Sequence, residues 1–136
     1  MPESQLLQLL FVYGSLVSRI AHPQGERLRL EATLIGAATL QGRLYRVSWY
    51  PGVTLSDGAA DVVHGEIYRV SAATLAWLDE YEGVTTGATS VASTDEYARQ
   101  RCAVRDADGA AHDAWVYLYR RDTSHLARVD DGRWTG

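Results

Sequence analysis

The sequence contains no lysine; all 13 of its basic residues are arginine. That absence excludes Schiff-base chemistry on a lysine amine and any lysine-bearing P-loop. Against 17 acidic residues the arginines leave a net charge of −4, and no basic cluster is longer than Arg120-Arg121. Nucleic acid is therefore not expected as a partner. Cys102 is the only cysteine, so neither an intrachain disulfide nor a zinc site built from several cysteines can form. Its position in a strand-like stretch beside Ala103 reads as a buried structural thiol. The histidines His22, His64, His112 and His125 stand far apart, without His-x₃-His or HExxH spacing, and no metal site is expected. No apolar run approaches the ~20 residues of a membrane span. The N-terminal LLQLLFV lacks the basic flank and small-residue cleavage site of a secretion signal. These absences lead to the expectation of a soluble, cytoplasmic protein with no membrane association.

What remains is ordinary in composition. At 136 residues, 46% hydrophobic and 22% charged, the chain fits one domain over 1–136, able to bury roughly two-thirds of its unfolded surface. LLQLLFVY, residues 6 to 13, reads as a buried first strand, and a short helix is expected after Pro23. Residues 32 to 47 read as strand interrupted by Gly36 and Gly42, the mark of bulges or tight bends. Trp49-Tyr50-Pro51-Gly52 has Pro and Gly in type II turn order. VVHGEIYRV, 62 to 70, is a further strand in which Gly65 signals a bulge or a close backbone approach. The polar segment GVTTGATSVASTD, 83 to 95, is long for a compact domain, as lids and disordered loops are. EYARQRCAVR and AWVYLYRR form a hairpin across DADGAAHD, and Ser124 to Val129 reads as a last helical turn. Short, Gly-interrupted strands with little helix indicate an α+β fold with a curved sheet or small barrel.

One stretch is electrostatically odd. SAATLAWLDEYEG, 71 to 83, is a helix by its Ser71 N-cap and its terminating Gly83, yet Asp79, Glu80 and Glu82 crowd its C-terminus. The macrodipole makes that end unfavourable for anions. At ~100° per residue, Leu75, Leu78 and Glu82 share one stripe, Asp79 lies at its edge and Glu80 points away. An inward-facing Glu82 there would have a raised pKa, suited to a general base near neutral pH. The alternative is a helix that ends earlier, with all three acids solvated.

Other candidates are weaker alone. In YGSL, Tyr13 to Leu16, a strand ends where Gly14 lets consecutive backbone amides gather into an anion-binding nest; an ordinary tight turn gives the same four letters. Ser15 lacks the second glycine of a nucleophile elbow. Glu66 is either a second acid or an arginine partner. Trp115, Tyr117 and Tyr119 share one strand face, and with Tyr97 they offer hydroxyls to a pocket or pack in the core.

Taken in order, FVYGSL, GRLYRVSWYPGV, VVHGEIYRV, LDEYEG, EYARQ, WVYLY and DGRW, from Phe11 to Trp134, resemble the gamma-glutamylcyclotransferase-like family. The resemblance implies a small mixed β-barrel flanked by short helices. It implies a substrate-holding loop at Tyr13, Gly14, Ser15 and Leu16, and Glu82 as the proton carrier. The expected activity is release of 5-oxoproline from a small γ-glutamyl amine or peptide, without a cofactor. Tyr97, Tyr117 and Tyr119 are carried as further substrate-binding candidates. Two rivals share the pocket: a non-catalytic module using Glu82 as counter-ion, and a hydrolase using it to activate water.

Overall fold

The computed structural model describes residues 8–14, 23–83 and 95–135. Among them lie seven strands and two helices, in the order β1 (Gln8–Val12), α1 (Pro23–Glu31), β2 (Thr33–Arg46), β3 (Pro51–Leu55), β4 (Val62–Val70), α2 (Ala72–Glu82), β5 (Tyr97–Asp106), β6 (Ala111–Tyr119) and β7 (Ala127–Arg128). Five of the strands close a barrel in the circuit β2–β4–β1–β6–β5 and back to β2. Every joint is antiparallel except β1 with β6, which run parallel. The small mixed barrel with short flanking helices is thus the observed architecture.

Strand β1 is apolar without alternation because both of its faces are covered. Phe11 points into the barrel with Leu40, Val63, Ile67, Val104 and Val116. Leu10 and Val12 point outward, onto the layer made by Leu28 of α1 and Leu75 and Leu78 of α2. A strand buried on both sides loses the period-2 signal. At Gly65 the backbones of β1 and β4 come so close that a Cβ would sit 2.1 Å from the Val12 carbonyl oxygen. Strand β2 serves two neighbourhoods. A bulge between Leu34 and Gly36 bends its first part around β4, and from Gly42 onward it pairs with β3 and β7 instead.

The helices are joined to each other by one carboxylate. Glu31, at the end of α1, accepts from Trp77 Nε1 at 2.8 Å and Thr74 Oγ1 at 3.0 Å on α2. Arg27 pairs with the same carboxylate and lies 4.1 Å above the Trp77 ring. Helix α2 itself starts where Ser71 Oγ accepts from the Thr74 amide and stops at Gly83, whose φ of 72° is left-handed. Both ends follow the sequence reading.

Two local expectations are corrected. Pro51 and Gly52 are not turn residues; the turn lies at Val47–Tyr50, where the Tyr50 carbonyl accepts from the Val47 and Ser48 amides. Pro51 opens β3 opposite Arg46, a first-strand position where its missing N–H costs nothing in the ladder. Nor is the segment from Ser124 to Val129 helical. A turn at Thr123–Leu126 leads into β7, drawn out along β2 by the Val129 amide on the Leu44 carbonyl and by Arg128 Nη2 on Asp61 at 2.6 Å. Residues 84–94 of the long polar loop lie outside the described residues.

Gly65→Ala should therefore destabilise the protein by at least the ~1–3 kcal/mol typical of overpacking, because the obstructing atom is backbone. A thermal midpoint matching the wild type would show that β1 and β4 can separate without cost.

Candidate active site

Where β1 ends, the barrel opens into a cavity of about 230 Å³. Its walls are Phe11 to Gly14 from β1 and the turn after it, Trp49 to Pro51 at the start of β3, Tyr81 and Glu82 from α2, Glu96 and Tyr97 at the start of β5, and Tyr117 of β6. Among the described residues that line it, Glu82 and Glu96 are the only charged side chains.

The placement of Glu82 follows from how α2 is anchored. Asp79, one turn earlier, is the buried carboxylate of the three, only 3% exposed. Its oxygens receive Arg99 Nε at 2.8 Å and Nη2 at 3.1 Å, a bidentate fork, and the Tyr117 hydroxyl at 2.7 Å. Arg99 and Tyr117 face each other across β5 and β6, and Arg99 also stacks 4.3 Å over Trp115. Three residues beyond this anchor, on the adjoining part of the same face, Glu82 reaches the cavity wall half-buried. Glu80 is exposed.

Burial, then the nearby charges of Glu96 and Asp79, push the Glu82 carboxyl up to about 7. Half of such a population is ionised near neutral pH, so it can take and return a proton. The phenols around it are neutral donors. Burial and the neighbouring negative groups raise Tyr13, Tyr97 and Tyr117 well above the ordinary tyrosine range.

Of the candidates read from sequence, Glu82, Tyr13, Gly14, Tyr97 and Tyr117 meet in this cavity. Tyr119 does not line it; it packs edge-on to Tyr97, with ring centres 5.6 Å apart. Ser15 and Leu16 lie outside the described residues. Three of the lining hydroxyls spend their protons on the protein: Tyr13 on the Tyr117 carbonyl at 2.5 Å, Tyr97 on the Pro51 carbonyl at 2.6 Å, and Tyr117 on Asp79. What the phenols offer a ligand is an oxygen that accepts. Gly14 is packed so tightly that a Cβ there would meet Pro51 Cγ at 2.8 Å, so the wall at that point is bare backbone.

Sequence reasoning missed Asp79 as anchor, its partner Arg99, and the second cavity acid Glu96, which accepts from the Tyr50 hydroxyl at 2.6 Å. Glu66 lies away from this cavity, beside His64 and Asp106 on the barrel wall. Among the described residues no group of three or more histidine, cysteine or carboxylate side chains is placed to hold a metal ion. No helix among them is long and apolar enough to cross a membrane.

The closed five-stranded mixed barrel is also the fold of known relatives. Residues 10–136 match the family model described as gamma-glutamyl cyclotransferase, AIG2-like, and the chain belongs to that family. It is 36% identical over 127 residues to the gamma-glutamylcyclotransferase family protein YtfP of Escherichia coli K12, covering 92% of this chain and 94% of that one. The solution structure of YtfP superposes with a TM-score of 0.64 at 35% identity, over 93% of this chain and 95% of that one. A second relative, the gamma-L-glutamyl-butirosin B gamma-glutamyl cyclotransferase of Niallia circulans, is 33% identical over 127 residues, covering 90% of this chain and 73% of its own.

The raised carboxyl has a consequence for stability. A carboxyl that titrates at about 7 folded and near ~4.3 unfolded holds its proton better in the folded chain. Between those pH values the folded state binds more protons, and stability falls as pH rises. Glu82→Gln should remove that fall and leave the variant more stable at pH 8 by up to ~4 kcal/mol, while the two proteins converge below pH 4. Parallel stability–pH curves would contradict the assigned shift.

Proposed function

We propose that this chain releases 5-oxoproline from a γ-glutamyl amine or peptide by intramolecular aminolysis, with Glu82 as proton carrier. The observation that carries this reading is the half-buried Glu82 carboxyl, tuned to about 7, in a small cavity that is also lined by the bare backbone at Gly14. Membership of the family supports the reaction class, as does the similarity to a gamma-glutamyl cyclotransferase of Niallia circulans.

The chemistry needs little machinery. The α-amine attacks its own γ-carbonyl carbon; a C–N bond closes the five-membered ring and the bond to the departing amine breaks. Nucleophile and electrophile share a molecule, and well-oriented reactions of that kind reach effective molarities of ~10⁵–10⁸ M. The protein has to fold the substrate and move protons. Glu82 accepts one proton from the α-ammonium, which frees the nitrogen lone pair, and returns it to the leaving nitrogen as the tetrahedral intermediate collapses. The backbone N–H of Gly14 holds the α-carboxylate or the developing oxyanion. Accepting oxygens on Tyr13 and Tyr97 steady the ammonium before it is deprotonated. The cavity is smaller than the ~300–1,000 Å³ of drug-sized pockets, as suits a glutamyl group whose amine half extends through the mouth.

Glu82→Gln should keep the fold and lose turnover by the ~10²–10⁴-fold of general acid–base catalysis or more, whereas Glu80→Gln should be nearly silent. In the wild type, kcat/KM should rise with pH through an apparent pKa of about 7. The products decide the rest when γ-glutamyl amides are incubated with the protein and followed by mass detection. 5-Oxoproline supports the proposal, free glutamate makes the chain a hydrolase, and no turnover makes it a binding module. Substantial activity in Glu82→Gln would overturn the role given to that residue.

A further inference from the structure

Trp115 is not part of the cavity wall. It lies two residues before Tyr117 on the same face of β6, partly buried against the outer layer. Arg99 Cζ is 4.3 Å from the centre of its indole, and the edge of the same guanidinium makes the fork to Asp79. The two contacts do not compete, because a planar guanidinium can lay its face on a ring while its edge donates to a carboxylate. The ring itself is held. Its Nε1 donates to Gln8 Oε1 at 2.5 Å, and Gln8 is fixed by its pairing with Val70. Arg101, opposite Trp115 on β5, donates to the same oxygen at 3.2 Å and lies 5.0 Å from the ring centre.

Arg99 needs such a hold. Its side chain is 23% exposed and that of Asp79 only 5%, so water reaches the arginine far more readily than the carboxylate. An ion pair with one partner in reach of water contributes little unless its geometry is fixed. The indole covers one face of the guanidinium and limits the planes it can adopt to those compatible with stacking. If the arginine swung away, Asp79 would retain only the hydrogen bond from the Tyr117 hydroxyl, and the last turn of α2 would lose its tie to β5. Glu82 lies three residues further along that turn. We propose that Trp115 is a positioning residue for the reaction: stacked on Arg99, it keeps the fork on Asp79 closed and so holds Glu82 at the cavity wall. This rests on the cyclotransferase reading of Glu82 and goes beyond it, placing control of that acid on the outer face of the barrel, at a side chain that does not line the cavity.

Three variants test it, each assayed below its thermal midpoint with γ-glutamyl-n-butylamide as substrate and 5-oxoproline as the product followed. Trp115→Leu removes the ring face and should lower kcat roughly tenfold, the rate equivalent of one cation–π contact. Trp115→Phe keeps a ring face and should retain most of the wild-type kcat. Arg99→Lys keeps the charge but not the fork; it leaves β6 untouched and should reproduce the loss. In an Asp79→Asn background, Trp115→Leu should cost little more, because the contact it guards is already weakened. A further readout needs no turnover: by NMR, the Arg99 Nε–H that donates to Asp79 should exchange with solvent faster in Trp115→Leu than in the wild type or Trp115→Phe. Wild-type kcat in Trp115→Leu or Arg99→Lys overturns the proposal and leaves the cyclotransferase standing. So do equal losses in Trp115→Leu and Trp115→Phe, or a Trp115→Leu loss that adds in full to that of Asp79→Asn. If the wild type forms no 5-oxoproline, the cyclotransferase reading fails, and unaltered Arg99 exchange in Trp115→Leu overturns the stacking role separately.

Discussion

The ion pair between Asp79 and Arg99, with the Tyr117 hydroxyl on the same carboxylate, fixes the rest of the site. The buried apolar contribution of helix α2 to the outer layer is Leu75 and Leu78, with Trp77 and Tyr81 partly buried against them, and Glu31 holds only its first half, through Thr74 and Trp77. Asp79 locks the second half to β5 and β6, and a buried carboxylate is tolerable only because three donor groups surround it. With that turn fixed, helical geometry leaves Glu82 at the barrel mouth. Asp79 acts on Glu82 a second time, as a nearby negative charge that raises its proton affinity. One residue thus orients the acid and helps to tune it.

Electrostatics explains why acids are gathered at an end of a helix that disfavours them. The C-terminal dipole, partial burial and two neighbouring carboxylates all work against ionisation of Glu82. Each would be a defect in a residue meant only for solubility. Together they bring an ordinary glutamate to the range where proton transfer is effective at neutral pH. The surrounding phenols add no competing acid, since burial holds them protonated.

How much of this could be read in the sequence depends on how local each signal is. Glu82 was legible because Leu75, Leu78 and Gly83 lie within one helix and fix its period and end. Gly65 and the bulge near Gly36 were legible because glycine inside a strand pattern has few other uses. Asp79 was not, because its significance comes from Arg99, 20 residues away, and from Tyr117 on the next strand. Glu96 was hidden for the same reason: it becomes a cavity residue only when the start of β5 closes beside β3. The β3 strand was masked by Pro51-Gly52, which read as a turn until pairing with β2 was known. A two-residue strand such as β7 has no periodicity at all. The barrel's closure by β5 on β2 is likewise a long-range pairing that no window of sequence contains.

The central claim is that the environment of Glu82 makes it a proton carrier near neutral pH. Its most direct test is to titrate that carboxyl in the folded, substrate-free protein by side-chain ¹³C NMR, assigned with Glu82→Gln. The expected midpoint is near 7, moving down in Asp79→Asn and in Glu96→Gln as each neighbouring charge is removed. A midpoint in the ordinary glutamate range of ~4.3, indifferent to both substitutions, would contradict it.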